Sequence, residues 1–155
     1  AEHGGTPVRT RVGHSYIKAE MRTHQATFAG ESSGHYYFKD NFMADSGLIA
    51  ALVGLQVLSN SGKKLSELAE HFNKYHHIPE TNFKVTDKDT ILAKLTNEFA
   101  EQKQDQLDGL TIWFDNAWVN IRASNTEPIL RLNAEARSQA ELDQLVAKVT
   151  NIIKA

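Results

Sequence analysis

Trp118-Val119-Asn120-Ile121-Arg122-Ala123-Ser124-Asn125-Thr126-Glu127-Pro128-Ile129-Leu130-Arg131-Leu132-Asn133-Ala134-Glu135-Ala136 decides how the second half of this chain folds. Trp118 to Ala123 and Ile129 to Ala136 alternate with the period of strands, and the second run puts Leu130, Leu132, Ala134 and Ala136 on one face. Pro128 cannot donate to a ladder and closes the loop between them. That loop gathers a guanidinium (Arg122), two hydroxyls (Ser124, Thr126) and a carboxamide (Asn125) within five residues. Arg presents a planar fork that matches phosphate, and the other three each add a donor, so the inventory is that of an oxyanion cradle. Ser, Asn and Thr also turn easily, so a plain hairpin loop is the competing reading.

Outward from this stretch the pattern is β-α-β-β-β-α. Asn82 to Thr86 reads as a strand. Thr86-Asp87-Lys88-Asp89 reads as a capping box for a helix with Ile91, Leu92, Leu95 and Phe99 on one face. Leu110 to Asp115 and Trp118 to Ala123 form a hairpin around Asp115-Asn116-Ala117. Ser138 caps a last helix whose stripe is Leu142, Leu145, Val146, Val149, Ile152 and Ile153. The expectation is an α+β module, one antiparallel sheet with two helices on a single face.

The first half reads differently. Thr6 to Val12 alternates as a short strand. Tyr16 to Arg22 carries Ile17 and Met21 one turn apart, and Thr27 to Gly30 is a further strand. Asp45 to Leu58 is a helix apolar over most of its surface, expected to be well buried, and Leu65, Leu68, Ala69 and Phe72 form another helical stripe. These strand-helix units imply a partial α/β domain over residues 1–75, joined to the α+β domain at 76–155 by a hinge near His76-His77. The abrupt start, with a single strand before the first helix, leads us to expect further sequence upstream.

Composition narrows the function. The chain has 155 residues, a net charge of −2 and a pI of about 6.4, so it lacks the bulk positive field of a nucleic-acid binder. It contains no cysteine, hence no disulfide, thiolate nucleophile or zinc-thiolate site. The longest apolar run, Leu48 to Leu58, is too short to span a bilayer, and the first residues lack the features of a signal peptide. A cytoplasmic protein without membrane partners is expected. Gly62-Lys63-Lys64 lacks the Ser or Thr and the earlier glycine of a phosphate loop. His76 and His77 point apart on any regular element, so no metal site is assigned. Glu31-Ser32-Ser33-Gly34-His35 remains: Glu31 can accept from hydroxyls, Ser33 can donate, and His35 can move a proton near neutral pH. A polar loop is its plain alternative, as a capping role is for His14.

Taken together, Arg-Ala-Ser-Asn-Thr-Glu-Pro-Ile-Leu-Arg-Leu-Asn-Ala-Glu-Ala at 122–136, Gly-Glu-Ser-Ser-Gly-His at 30–35 and Val-Gly-His-Ser-Tyr-Ile-Lys at 12–18 closely resemble, in order and spacing, three loops of the α-D-phosphohexomutases. The likeness is closest to their phosphomannomutase/phosphoglucomutase branch, since phosphoglucosamine mutases usually carry glycine where Asn125 stands. The resemblance implies that residues 1–75 are most of the family's third domain and the rest its fourth, with a fold like the TATA-binding protein. It places Glu31 and Ser33 on hexose hydroxyls. Arg122, Ser124, Asn125 and Thr126 fall on the non-reacting phosphate, and His14 and His35 near the reacting end as candidate acid/base or electrostatic groups. It implies Mg2+ and a phosphoserine on N-terminal domains of the same enzyme, neither carried here, and a hexose phosphate as substrate. The alternatives are a phosphoglucosamine mutase and a non-catalytic sugar-phosphate-binding module.

Overall fold

The computed structural model describes residues 4–155, which separate into two compact units with the break between Leu68 and Ala69. The break thus precedes the 75/76 division expected from the sequence.

The first unit opens with helix α1 (His14–Thr23), whose Ile17 and Met21 are its buried residues. Strands β1 (Phe28–Gly30), β2 (Tyr36–Phe38) and β3 (Ala44–Asp45) follow and form a three-stranded antiparallel sheet in the order β1-β2-β3. Ile17, Met21 and Tyr37 make its small core. Helix α2 (Gly47–Ser61) follows, and the unit ends within the short helix α3 (Leu65–Glu70). Three expectations change here. Thr6–Val12 enters no ladder among the described residues, and alternation without a hydrogen-bonding neighbour does not make a strand. Two strands, β2 and β3, lie where none was expected, because two or three residues are too few to show a period. Finally, α2 is not buried: Leu48 is 73% and Leu55 61% exposed. Its apolar composition extends around the helix, and a narrow three-stranded sheet cannot cover more than a strip of it. Its caps follow ordinary chemistry, with the Ser46 hydroxyl accepting from the Ile49 N–H at 3.2 Å and Gly62 left-handed at the C-terminus.

The second unit comprises β4 (His76–His77), β5 (Thr81–Lys84), α4 (Lys88–Glu98), β6 (Lys103–Asp105), β7 (Leu110–Trp113), β8 (Ala117–Ala123), β9 (Ile129–Ala136) and α5 (Gln139–Lys154). Its six-stranded antiparallel sheet runs β4-β9-β8-β7-β6, with β5 also on β9. One face is apolar. Leu110, Ile112, Val119, Ile121, Leu130, Leu132, Ala134 and Ala136 pack there against Leu95 and Phe99 of α4 and Leu142, Leu145, Val149 and Ile153 of α5. This is the two-helix, single-face arrangement read from the sequence, with two short strands added at the ends. One of them is β4, formed by His76-His77. His76 pairs with Ala136 and His77 with Glu135, which ties both residues to the second unit. The cap of α4 is Asp87 rather than Thr86; its carboxylate accepts from the Thr90 N–H at 3.0 Å and the Thr90 hydroxyl at 2.6 Å. Ser138 caps α5 as expected, accepting from the Glu141 N–H at 3.3 Å.

Candidate functional site

In the second unit the period of two sends Arg122, Asn120, Arg131 and Asn133 to the sheet face opposite the helices. Register then sets Arg122 of β8 directly across from Arg131 of β9. Two guanidinium groups side by side repel, and Glu80 relieves this. Its Oε1 lies 3.2 Å from Arg131 and its Oε2 3.6 Å from Arg122, and Oε2 also accepts from the Asn133 amide at 3.4 Å. Asp108 takes a further N–H of Arg122 at 3.3 Å. The cationic pair therefore already holds an anion, the Glu80 carboxylate.

Beside it, the loop 124–128 is fixed from within. Ser124, 7% exposed, accepts at its hydroxyl from the Glu127 N–H at 3.2 Å and the Thr126 N–H at 3.4 Å. From the first turn of α4, Lys88 donates to the Ser124 carbonyl at 2.8 Å and the Glu127 carbonyl at 3.4 Å. Asn125 and Thr126 are exposed at the tip. Of the four residues expected to hold phosphate, Arg122, Asn125 and Thr126 are open to solvent to some degree, and Ser124 shapes the loop. Sequence reading missed Arg131 and Lys88, which only strand register and helix packing bring to the loop.

In the first unit, Glu31, Ser33, His14 and His35 do come together. Gly13 (φ 130°) and Gly34 (φ 88°) hold backbone conformations that disfavour side chains, and they turn the chain on either side of the site. The Glu31 carboxylate accepts from the Ser33 hydroxyl at 2.7 Å, the Tyr37 hydroxyl at 3.2 Å and the Gly13 N–H at 3.4 Å. Desolvation alone would raise its pKa, but these donors, with His35 nearby, outweigh it and hold the carboxyl below its ordinary range. Tyr37 responds in the opposite sense: burial first, then the Glu31 charge, push its hydroxyl up to about 12.

Asp45, which the sequence did not single out, binds both histidines. Pairing of β2 with β3 sets it across from Tyr37, on the side of His35. Its Oδ2 lies 3.0 Å from Nδ1 of His35 and its Oδ1 3.4 Å from Nδ1 of His14, while the two rings meet edge to face at 4.7 Å. The hydrogen bond with His35 lowers the Asp45 pKa most; desolvation opposes it, and the smaller pull of the His14 charge adds to the lowering. An ionised carboxylate only accepts, so it selects the Nδ1–H form of each neutral ring and leaves Nε2 as the free acceptor.

The lowered pKa of Glu31 has a consequence for stability. The unfolded chain takes up the proton first as pH falls below the ordinary value of 4.5. Stability from this carboxylate is therefore complete above that value and disappears as pH drops through the lower folded value. Thermal melts of the chain and of Glu31→Gln, run from about pH 7 down to about pH 3, should converge in acid; parallel curves at all pH values would show that Glu31 carries no such stability.

The family model for "Phosphoglucomutase/phosphomannomutase, alpha/beta/alpha domain III" matches residues 1–75, and that for the C-terminal domain of the same family matches residues 80–152. A phosphomannomutase of Methanocaldococcus jannaschii is 41% identical over 152 residues, covering 98% of this chain and 34% of that protein. A phosphomannomutase/phosphoglucomutase of Pseudomonas syringae pv. tomato is 39% identical over 150 residues, 94% of this chain and 32% of that protein. The crystal structure of a phosphoglucomutase/phosphomannomutase family protein from Burkholderia thailandensis superposes with a TM-score of 0.81 at 30% identity, over 99% of this chain and 33% of that one. The chain thus spans about a third of the length of the relatives it matches.

Proposed function

Because this chain belongs to the phosphoglucomutase/phosphomannomutase family, we propose that it serves an enzyme moving a phosphoryl group between the 1- and 6-positions of a hexose, and that its own part is to hold the substrate. Arg122, with Asn125 and Thr126, takes the phosphate that does not react, on a loop that Ser124 and Lys88 keep in shape. Glu31 and Ser33 take sugar hydroxyls, since a carboxylate already arranged to accept from Ser33 and Tyr37 has the chemistry to accept from vicinal alcohols. His14 and His35, with Nδ1 committed to Asp45, present Nε2 for proton exchange with a reacting hydroxyl. Fixing the remote phosphate orients the reactive end, which is how binding energy away from the chemistry raises the rate.

The observation that carries this reading is the anion already seated on Arg122, Arg131 and Asn133, the Glu80 carboxylate. A substrate phosphate is a stronger acceptor for the same fork.

The family implies magnesium and a phosphoserine, and the residues present suit neither. Magnesium demands oxygen ligands in octahedral array. Among the described residues, the cluster able to hold a metal offers two imidazoles and one carboxylate. The serines of the two sites are engaged otherwise: Ser33 is bound to Glu31, and Ser124 caps its own loop. We place nucleophile and magnesium outside these 155 residues.

The test is a titration of the chain with inorganic phosphate, glucose 1-phosphate and mannose 1-phosphate, followed by amide shifts. The sugar phosphates should bind more tightly than phosphate. Glu31→Ala should remove most of that difference while leaving phosphate affinity within about twofold, a change under 1 kcal/mol. Hexose phosphates should not be interconverted by the purified chain. Equal affinity for phosphate and sugar phosphate would refute the assignment of Glu31, and genuine turnover would refute the division of labour.

A further inference from the structure

We propose that His14, His35 and Asp45 form a binding site for a divalent transition-metal ion of the zinc class. One ligand atom from each of the three lies within 4.8 Å of the others. The rings present Nδ1 to the carboxylate oxygens at 3.4 Å and 3.0 Å. Bonds of about 2.0–2.1 Å in a tetrahedral shell put neighbouring ligand atoms roughly 3.3 Å apart. Each ring nitrogen thus already stands near that spacing from the Asp45 carboxylate, His14 from Oδ1 and His35 from Oδ2, and the two imidazoles that must adjust are about half exposed, at 53% and 44%.

Donor chemistry selects the metal. Two imidazoles and one carboxylate suit zinc, cobalt, nickel or copper, and disfavour magnesium and calcium, which want oxygen alone. Three protein ligands leave a fourth position for water or an incoming oxygen. On binding, each neutral ring moves its proton from Nδ1 to Nε2, so both nitrogen lone pairs and one carboxylate oxygen turn to the metal without a change of charge on the ligands. The scaffold is organised in advance. His14 starts α1, whose Ile17 and Met21 are buried in the same small core as Tyr37, and β2–β3 pairing fixes Asp45 opposite Tyr37. His14 also leans edge-on against the Tyr37 ring at 5.4 Å. The shell thus hangs on α1, on the residue that enters β2, and on β3.

A metal here would take both imidazoles out of proton exchange. On the mutase reading it is therefore an inhibitor rather than a cofactor, and that corollary alone rests on the proposed function.

The site is tested on the whole 155-residue chain without any sugar phosphate, so its failure is separate from a failure of the functional proposal. Co2+ should bind one per chain with the intense visible absorption of a low-coordinate nitrogen-oxygen shell, and Zn2+ should displace it. In the unmodified chain, ring 15N shifts should show metal on Nδ1 of His14 and His35. His35→Ala and Asp45→Asn should each weaken Zn2+ binding by more than the roughly 10–100-fold that loss of a mere supporting partner costs. Replacing His76 and His77 together, which lie in the other unit, should change nothing. Absence of Zn2+ binding at micromolar protein would overturn the proposal. So would ring shifts that move at His24, His71, His76 or His77 and not at His14 and His35.

Discussion

Gly109→Ala should destabilise the second unit by about 3 kcal/mol, a large fraction of the margin of a small domain. Gly109 sits at φ 76° in the turn between β6 and β7. Left-handed backbone costs an ordinary residue roughly 1–2 kcal/mol. Space is the larger obstacle: a Cβ there would lie 2.6 Å from the Ile121 carbonyl oxygen and 2.8 Å from the Arg122 Cα. Both are backbone atoms of the central strand β8, flanked on each side by a ladder, so neither can yield cheaply. The damage should also reach the anion face. Asp108, which precedes the glycine, accepts from Arg122 through its carboxylate and from the Asn120 amide through its carbonyl at 2.9 Å. Denaturant unfolding of the two chains measures the first effect, and amide shifts of Arg122 report the second. A loss below about 1 kcal/mol would mean that the turn simply rearranges.

Arg122→Ala should abolish measurable binding of phosphate by the chain. Binding starts weak, in the millimolar range or near −4 kcal/mol, because the phosphate must displace Glu80 and only one side of it is contacted. Arg122→Lys keeps a charge but loses the two-pronged geometry, and should cost on the order of 1–2 kcal/mol. The counterpart variant should act in reverse. Glu80→Gln removes the internal anion from Arg122, Arg131 and Asn133, and should tighten phosphate binding several-fold while destabilising the fold slightly through the uncompensated arginine pair. Both are read by amide-shift titration. If Arg122→Ala binds phosphate as well as the parent chain, the loop at 124–128 is only a turn. If Glu80→Gln weakens binding, Glu80 orients the guanidinium and does not compete for it.

The second unit was legible from its residues because its long elements bury one face against one core. Strand β9 alternates buried and half-buried residues without a break, and α5 buries Leu142, Leu145, Val149 and Ile153 at helical spacing. Burial of that kind writes itself into sequence as a period. Strands of two or three residues show too little of a period to be relied on: β1 was read, but β2, β3, β4 and β6 were not, although Asp108-Gly109 is a turn dipeptide. The apolar character of α2 misled for a related reason: composition reports what a helix could bury, and only the neighbouring surface decides what it does bury.

The same division runs through the two sites. Local chemistry fixed the loops: the Gly turns around Glu31-Ser33, the Ser124 hydroxyl folding back on its own backbone, and the fork of Arg122 were all within reach of residues a few positions apart. Pairing between distant segments decided the rest. Register across β8 and β9 put Arg131 against Arg122 and set Glu80 between them, and β2–β3 pairing carried Asp45 to both histidines. Helix α4 reached back with Lys88 to hold the loop. A single sequence specifies which groups are available and which local turns they prefer. Which of them meet depends on hydrogen-bond register and packing between segments far apart in the chain, and those are properties of the folded molecule.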